Sequence, residues 1–448
     1  MSKIEVNQIS SQCGSTLTVG QSGDTVTLAA GATQTGFGRT GTVDWDTTAK
    51  TASFIAVSGN GYFVNTTSGA ITVTLPAGSA GDIVGISDYA STFQTNNVTI
   101  TPNGTDKING INSNAILSTQ GIAVSLVYVD STRGWKSVTG SDNDTSGVSF
   151  ITATGGTITC CGNYKTHTFT GPGTFCVSSI SNLDANNEVS YLVVAGGAGG
   201  GSSQYGCAGC GATGGGGGAG GFRESKSGVD CYSASPLEGS TNISVTATSF
   251  PITVGGGGAG GPNGSDGTPG VNSTFSTITS AGGGGGGRDG PNRVGAAGGS
   301  GGGGGGERTG TCGGAGNTPP VSPAQGQPGG NGGGVAPSYG AGGGGGATVA
   351  GSQGNPTFPT GNGGAGATTS ISTSPTSYAG GGGGGNYANT GAPSGGTGGG
   401  GVGANGPNVE ATTGTDNTGG GGGGAAGGTY PEGKAGGSGI VIIRYKFQ

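Results

Sequence analysis

Charge is scarce in this chain. Only 15 of its 448 residues are Lys or Arg, 21 are Asp or Glu and one is His, which gives a net charge of −6 and a pI near 4.7. Binding nucleic acid through its phosphates requires clustered cations. No basic block occurs, and Arg-Gly-Gly tracts are missing despite the glycine content, so no nucleic-acid partner is expected. The shortage of titratable groups also argues against catalysis. A polysaccharide-cleaving enzyme needs paired carboxylates across a cleft, yet the closest acidic pair, Asp44 and Asp46, flanks Trp45 at what reads as an exposed strand end. A Ser-His-Asp system would rest on His167 alone, in a Thr-rich strand with no G-x-S-x-G elbow. Neither catalytic residues nor a cofactor are expected.

Long hydrophobic runs are missing too. No stretch of about 18 apolar residues occurs, so no membrane insertion is expected. The start, Met1-Ser2-Lys3-Ile4-Glu5-Val6-Asn7, lacks the apolar region of a signal peptide. Cysteine is more plentiful, at 8 residues. Cys207-Ala-Gly-Cys210 has the spacing of a zinc knuckle, but no second such pair accompanies it and His167 is distant, so no metal site is expected. Cys160, Cys161, Cys176, Cys207, Cys210 and Cys231 lie close in sequence, which suggests mutual proximity as free thiols or bridges. Asp142-Asn143-Asp144 reads as a solvated linker, because neither a Gly nor a bidentate Glu follows at EF-hand spacing. Phosphate-loop matches among the glycines carry no weight: none is followed by Lys-Ser or Lys-Thr, and none opens a helix.

What the chain has is glycine, 116 residues of it. Runs of similar length begin at or near Gly196, Gly214, Gly255, Gly282, Gly301, Gly342, Gly380, Gly398 and Gly419, separated by Pro-, Asn- and Thr-rich stretches. Such composition usually means disorder. Three features oppose that reading here. A flexible linker has no reason to measure its glycines. Strand-like segments such as Tyr191–Ala195, Pro251–Val254, Phe275–Thr279 and Ile440–Tyr445 bound the array. Finally, large apolar side chains between Ala281 and Gly439 are too few for an ordinary core, so an ordered array must pack backbone on backbone. Polyglycine does this as an extended helix of three residues per turn, which makes no internal hydrogen bonds and turns every N–H and C=O outward. Gly214, Gly255, Gly282, Gly301, Gly342, Gly380 and Gly419 are the structural glycines of this reading.

The expected fold is all-β, comprising an N-terminal oligomerising β segment, a β-sandwich-like domain, and a β base carrying a polyglycine II helix bundle. Residues 1–40 hold short alternating strands, such as Gly14–Gly20 and Gly23–Leu28, that cannot bury their apolar faces alone. Residues 41–140 read as a sandwich with strands at Ser53–Val57, Gly61–Asn65, Ile71–Leu75, Asp82–Ser87, Val98–Thr101, Ile122–Val129 and Trp135–Val138. Residues 141–187 read as a linker followed by basal strands, and 188–448 as the glycine-rich domain.

Tyr191–Gly201 (YLVVAGGAGGG), the repeated glycine blocks and the closing Gly437–Tyr445 (GSGIVIIRY) resemble the glycine-rich domain of phage tail-tip adhesins. More loosely, they resemble the extracellular glycine-rich domain of anaplastic-lymphoma-type receptor kinases. The stretch from Tyr62 through Ile71–Pro76 and Leu126–Asp130 to Trp135 resembles a β domain of marine-phage tail fibres, and residues 1–40 resemble the trimerising attachment and shaft segments of such fibres. The resemblance implies stacked polyglycine II helices and a homotrimer joined to other virion proteins through the N-terminus. It also implies loops that contact a bacterial cell-surface receptor, either an outer-membrane protein or a polysaccharide. An exposed virion protein assembled in the host cytoplasm also fits the lack of a leader. The alternatives are a structural virion protein such as a head-decoration fibre, and a secreted matrix protein, for which a signal sequence is expected.

If successive runs alternate in direction, residues 202–213, 262–270, 288–300, 347–379 and 402–418 lie at the end far from the β base, whereas 222–254, 307–341 and 386–397 lie beside it. Arg288, Asp289, Asn292, Arg293, Phe358, Tyr378 and Asn408 are then the receptor-contact candidates, since aromatic and Arg side chains supply most of the energy at interfaces. For Tyr378, directly before a run, packing over the helix ends is the competing reading.

Overall fold

The computed structural model describes residues 43–139, 149–181, 183–203, 212–290, 293–306, 311–335, 338–355, 360–387, 391–406, 408–428 and 430–448. The expected trimerising segment 1–40, the linker Asp142–Asp144, Cys13, Cys207, Cys210, Asn292 and Phe358 lie outside these residues. The chain forms two compact units, Met1–Gly147 and Val148–Gln448.

The first unit contains β1 (Asp44–Lys50), β2 (Phe54–Ile55), β3 (Asn60–Val64), β4 (Ile71–Thr74), β5 (Ile83–Asp88), β6 (Val98–Thr101), β7 (Ala115–Leu117), β8 (Ala123–Tyr128) and β9 (Trp135–Ser137). Two sheets, ordered β1-β3-β5-β8-β9 and β2-β4-β6-β7, enclose one core that includes Val64, Val73, Leu75, Ile86, Ile100, Leu126 and Trp135. Successive strands β1 to β6 alternate between the sheets, so neighbours β1, β3, β5 and β2, β4, β6 run parallel rather than antiparallel. Parallel neighbours need a long crossover, and here a strand of the opposite sheet serves as that crossover. β7 was not expected, and β1 extends to Lys50 what was read only as an exposed strand end around Trp45. β1 is polar, and Gly61 makes room for it: a Cβ there would sit 2.7 Å from the Trp45 ring.

The second unit is built on β10 (Thr152–Thr154), β11 (Thr157–Cys161), β12 (Tyr164–Phe169), β13 (Gly173–Ser179), β14 (Glu188–Val194), β15 (Phe222–Ser225), β16 (Ile243–Ser244), β17 (Ser249–Thr253), β18 (Ser273–Phe275) and β19 (Ile278–Ser280). Later come the hairpins β20 (Gly333–Val335) with β21 (Ser338–Gly340) and β22 (Ala367–Thr369) with β23 (Thr376–Tyr378), and the closing β24 (Ile440–Lys446). The central sheet runs β11-β12-β24-β14-β15, with β16 pairing on β14. Strict alternation divides its side chains between two faces. Tyr191, Val193, Val441, Ile443 and Tyr445 pack against the second sheet, β10-β13-β17-β18-β19, through Phe175, Ile252 and Phe275. Leu192, Val194, Ile440 and Ile442 face the other way, toward Phe222, Tyr232, Ile371 and Tyr378.

From this base the chain leaves as glycine helices. Residues 195–203 continue β14 and are buried throughout. The N–H groups of Ala195, Ala198 and Gly201 donate to the carbonyls of Gly221, Gly218 and Gly215; those of Gly196, Gly199 and Ser202 to Val271, Thr268 and Ser265; those of Gly197, Gly200 and Ser203 to Gly437, Lys434 and Pro431. Each neighbour is met at every third residue with falling partner numbers, as antiparallel helices of three residues per turn require. The carbonyls accept with the same period from three parallel neighbours: Gly283 and Gly286 donate to Gly196 and Gly199, Gly258 and Gly261 to Gly197 and Gly200, Gly422 and Ala425 to Ala198 and Gly201. These bonds measure 2.8–3.1 Å. The result is a hexagonal lattice whose interior is main chain.

Glycine is required because every inward Cβ position is occupied by a neighbour's carbonyl. A Cβ on Gly214, Gly255, Gly282, Gly301, Gly342 or Gly380 would lie 1.9–2.4 Å from a backbone oxygen of Gly201, Val271, Gly270, Gly314, Gly330 or Gly396. Gly419 has φ +71° and turns the chain into its helix.

The expected alternation of direction holds only in part, because segments with fewer glycines are also lattice helices. Gly267-Thr-Pro-Gly270 and Gly351-Ser-Gln-Gly354 each carry an outward- or return-running helix between two counted runs, and Gly433-Lys-Ala-Gly436 carries the return from the last run to β24, a return the count had given to that run itself. In these peripheral helices only every third residue faces inward, and only that one must be Gly: a Cβ on Gly267, Gly270, Gly433 or Gly436 would meet Gly199, Gly196, Gly200 or Gly197 oxygen at 2.0–2.3 Å. Three loop assignments change as a result. Ala347 and the β22–β23 hairpin, placed at the far end by the count, pack on Leu192 and Val194 of the base. The far end instead holds the β20–β21 hairpin and Asn386, which were assigned to the base: Gly385 donates to Gly214, and Gly340 bridges Asn386.

Two predictions follow from the lattice and its base. Gly217→Ala, whose Cβ would sit 2.1 Å from the Ala198 oxygen, is expected to cost at least about 3 kcal/mol in denaturant unfolding. Gly256→Ala, in a run of the same kind but with nothing within 4 Å, should change stability by less than about 0.5 kcal/mol. The signal must come from tyrosines or amide exchange, since Trp45 and Trp135 both belong to the first unit. The second concerns buried His167, whose Nδ1 lies 2.7 Å from the Gly155 carbonyl and Nε2 3.1 Å from the Tyr445 hydroxyl. Burial, partly opposed by the Gly155 contact, holds its pKa below the ordinary 6.5. A His that is harder to protonate folded than unfolded contributes stability above its unfolded pKa, and this is lost as pH falls through that range. The second unit should therefore weaken between pH 7 and pH 5, and His167→Gln should flatten that part of the profile.

Candidate functional site

The loops at the far end of the lattice are set by the helices that enter and leave them. The loop after 282–287 begins at Arg288, whose N–H donates to Asp266 Oδ1 at 2.8 Å and whose guanidinium Nη1 donates to the Gly264 carbonyl. Asp289 follows, donating its N–H to the Ser202 carbonyl at 3.2 Å. Ser202 Oγ donates to the Ser265 carbonyl and accepts from the Ser265 N–H, both at 2.7 Å. Residues 262–266 and 288–290 thus form one ridge, stitched to the end of the central helix, with Arg293 beside it. Arg293 is half-buried and its carbonyl accepts from Gly305. Val294 beside it is 55% exposed.

The sequence candidates separate in space. Arg288 and Asp289 share the ridge, with Arg293 beside it. Asn408 is exposed on another far-end turn, 405–409, beside half-exposed Val409. Nearby, Lys434 pairs with Glu410. Two candidates need correction. Asp289 is only 7% exposed, so its carboxylate is part of the ridge's interior rather than its surface. Tyr378 is 4% exposed and sits at the base in the cluster with Leu192, Phe222 and Ile442. Its place just before a run reflects packing over helix ends, where burial raises its phenol pKa.

A second polar constellation lies at the base and was not foreseen. Arg444 Nε donates to both Asp230 oxygens at 3.0 and 3.1 Å, with both side chains almost fully buried. The Ser190 hydroxyl donates to Asp230 at 2.8 Å and accepts from the Ser227 N–H at 3.0 Å. The guanidinium lies 4.6 Å from the Tyr164 ring centroid and 5.7 Å from that of Tyr232. Glu224, also buried, accepts from the Ser235 N–H at 2.9 Å and from the Thr369 hydroxyl. Burial first, and then Glu224, push the Tyr232 phenol far above its ordinary pKa. A cavity of about 250 Å³ opens here, lined by Cys161, Cys231, Tyr232, Ser233, Ser370, Thr373 and Arg444. The sequence signal was Arg444 itself, a cation inside the apolar strand Ile440–Tyr445. Its carboxylate partner, 214 residues away, had no such mark.

Among the described residues no group of three or more His, Cys, Asp or Glu side chains is placed to hold a metal, and no helix is long and apolar enough to cross a membrane. The buried carboxylates of the base, Asp230 and Glu224, are committed to hydrogen bonds and to Arg444. The arrangement can hold the base together; at the far end it presents a stitched ridge with cationic and amide side chains.

A family model described as a glycine-rich domain matches residues 170–446, covering the basal strands from β13 onward, every counted run and the closing strand. The chain belongs to that glycine-rich domain family. No curated protein matches the sequence. The match begins within the β12–β13 turn, so the family unit takes in the base as well as the helices, consistent with a lattice that starts from β14 and ends in β24.

Within the glycine-rich domain the Arg444–Asp230 pair is the most exacting polar contact. Asp230→Ala leaves a buried guanidinium without its carboxylate, and is expected to destabilise the second unit by about 3–5 kcal/mol in denaturant titrations. The double variant Asp230→Ala with Arg444→Met should recover a large part of that loss.

Proposed function

We propose that this protein is a tail fibre or receptor-binding protein of a tailed phage, which attaches the virion to a bacterial cell through the loops at the far end of its glycine lattice. In this reading the N-terminal segment trimerises and joins other virion proteins, and the receptor is an outer-membrane protein or a surface polysaccharide. The observation that carries it is the separation of roles along the lattice. One end is fixed by a β base with a buried ion pair, and the other collects loops whose exposed side chains, such as Asn408 and Val294, play no part in the main-chain lattice. The ridge formed by 262–266 and 288–290, with Arg293 beside it, supports the reading further. Its main chain is anchored to the central helix, so an Arg side chain on it is presented with little entropy left to lose on binding. The resemblance of the runs and the closing strand to tail-tip adhesins points the same way.

The test is adsorption. Full-length protein carrying Arg288→Ala and Arg293→Ala should bind host cells at least about tenfold more weakly than the parent while keeping its melting behaviour. Immunolabelling of particles should mark the tail tip. Unchanged binding together with label on the capsid would favour a head-decoration fibre instead.

A further inference from the structure

The basal cavity brings two thiols to one small space. Cys161 ends β11, the edge strand of the central sheet, and Cys231 lies on the segment that crosses the sheet between β15 and β16. Both are exposed and neither is bonded. Together with Arg444 they line one cavity of about 250 Å³. We infer that Cys161 and Cys231 are a disulfide-forming pair that locks this crossing segment to the edge of the sheet.

The register of the sheet selects these two thiols. Cys161 pairs with Tyr164, Tyr164 with Lys446, and Thr166 with Arg444. Residues directly opposite one another share a face, as do residues two apart. Cys161, Tyr164 and Arg444 therefore project to the same side, where Asp230 and Tyr232 meet the guanidinium. Cys160 projects to the opposite side, with its cross-strand row partner Tyr445. It is thereby excluded although adjacent in sequence. On the crossing segment, the Cys231 N–H donates to Asp230 Oδ1 at 2.8 Å, and the Tyr164 hydroxyl donates to the neighbouring Val229 carbonyl at 2.5 Å. The position of Cys231 is thus set by the residues that flank Cys161. The Tyr164 hydroxyl also faces the Cys231 thiol, which after burial is the next cause of its raised pKa.

The chemistry is thiol exchange with a small disulfide such as oxidised glutathione. One cysteine thiolate attacks the reagent's S–S bond and releases one glutathione thiol. The second cysteine sulfur then attacks the mixed disulfide and releases the other. The protein loses two protons and two electrons, and the reagent is reduced to two thiols. β11 is exposed at every residue, so its free edge is held by β12 alone. A bond from Cys161 to Cys231 closes a long loop and removes that freedom.

The experiment uses the full chain equilibrated with oxidised or reduced glutathione, followed by non-reducing digestion and mass spectrometry. A Cys161–Cys231 peptide pair is expected within single chains, absent in C161S and in C231S and retained in C160S. Amide exchange across residues 226–237 should slow at least about tenfold in the oxidised parent but not in oxidised C161S. A Cys160–Cys161 or Cys160–Cys231 link, a link between chains, or thiols that stay free in excess oxidised glutathione would each overturn the inference.

Discussion

Everything in the second unit depends on main-chain hydrogen bonds that join one extended glycine helix to the next. A helix of three residues per turn makes none within itself, so each buried N–H and C=O is satisfied by a neighbour or not at all, and an unmet buried group costs about 1–3 kcal/mol. Residues 195–203 meet this demand with three antiparallel partners that accept and three parallel partners that donate. Residues 212–221 are likewise surrounded by six helices: their N–H groups reach 419–425, 281–287 and 342–345, and their carbonyls receive from 195–201, 300–306 and 382–385. Removing one helix would therefore orphan groups on all those around it. Stability of this kind belongs to the assembly, since glycine contributes no side-chain burial and loses the most backbone entropy on ordering.

Such a lattice has no intrinsic starting point, and the β base supplies one. The antiparallel pairing of Val194 with Phe222 passes without a break into the bond from Ala195 N–H to the Gly221 carbonyl. On the other side the pairing of Val194 with Ile440 passes into the bond from Gly197 N–H to Gly437. The ladder changes its repeat from two residues to three while keeping its partners. Apolar side chains at the strands thus fix which helices are neighbours, at a place where the hydrophobic effect is strong and the register is unambiguous. The ion pair of Arg444 and Asp230, with Ser190, holds the segment that covers this junction.

These couplings also explain what the sequence made legible. Long glycine runs mark helices surrounded on every side, where nearly every position is Gly and only Ala198 and Ala219 intervene in the two central ones, and β-branched segments mark the base; both could be read directly. A peripheral helix needs Gly on its inward row alone, as in Gly326-Gln-Pro-Gly329-Gly-Asn-Gly332. The Gly-x-x-Gly spacing was in the sequence, but counting runs passes over it, and each helix missed reverses the direction assigned to those that follow. Tyr378 was misplaced for that reason. Other features had no local mark. β1 is too polar to announce a strand and depends on the space left by Gly61, and Asp230 gains its meaning only from a residue at the far end of the chain. Arg288 and Arg293 could be placed at the far end because their loop follows a run that leaves directly from β19.

The division between rows that must be Gly and rows that are free has a consequence for recognition. In the lattice, identity is demanded by carbonyl oxygens about 2 Å from the missing Cβ, a requirement indifferent to what the loops contain. The loops contribute their ends, which the helices fix, and their side chains, which the helices ignore. Substitutions in 262–266 or 288–290 can therefore change charge and shape at the far end while the frame's bonds stay, provided Ser202 and Ser265 keep their mutual contacts and Asp266 keeps its bond to the Arg288 N–H. An ordinary core couples surface change to packing through shared side chains. A main-chain core removes most of that coupling, and this is the physical reason that a glycine lattice suits a protein whose proposed task is to meet a variable cell surface with an unvarying frame.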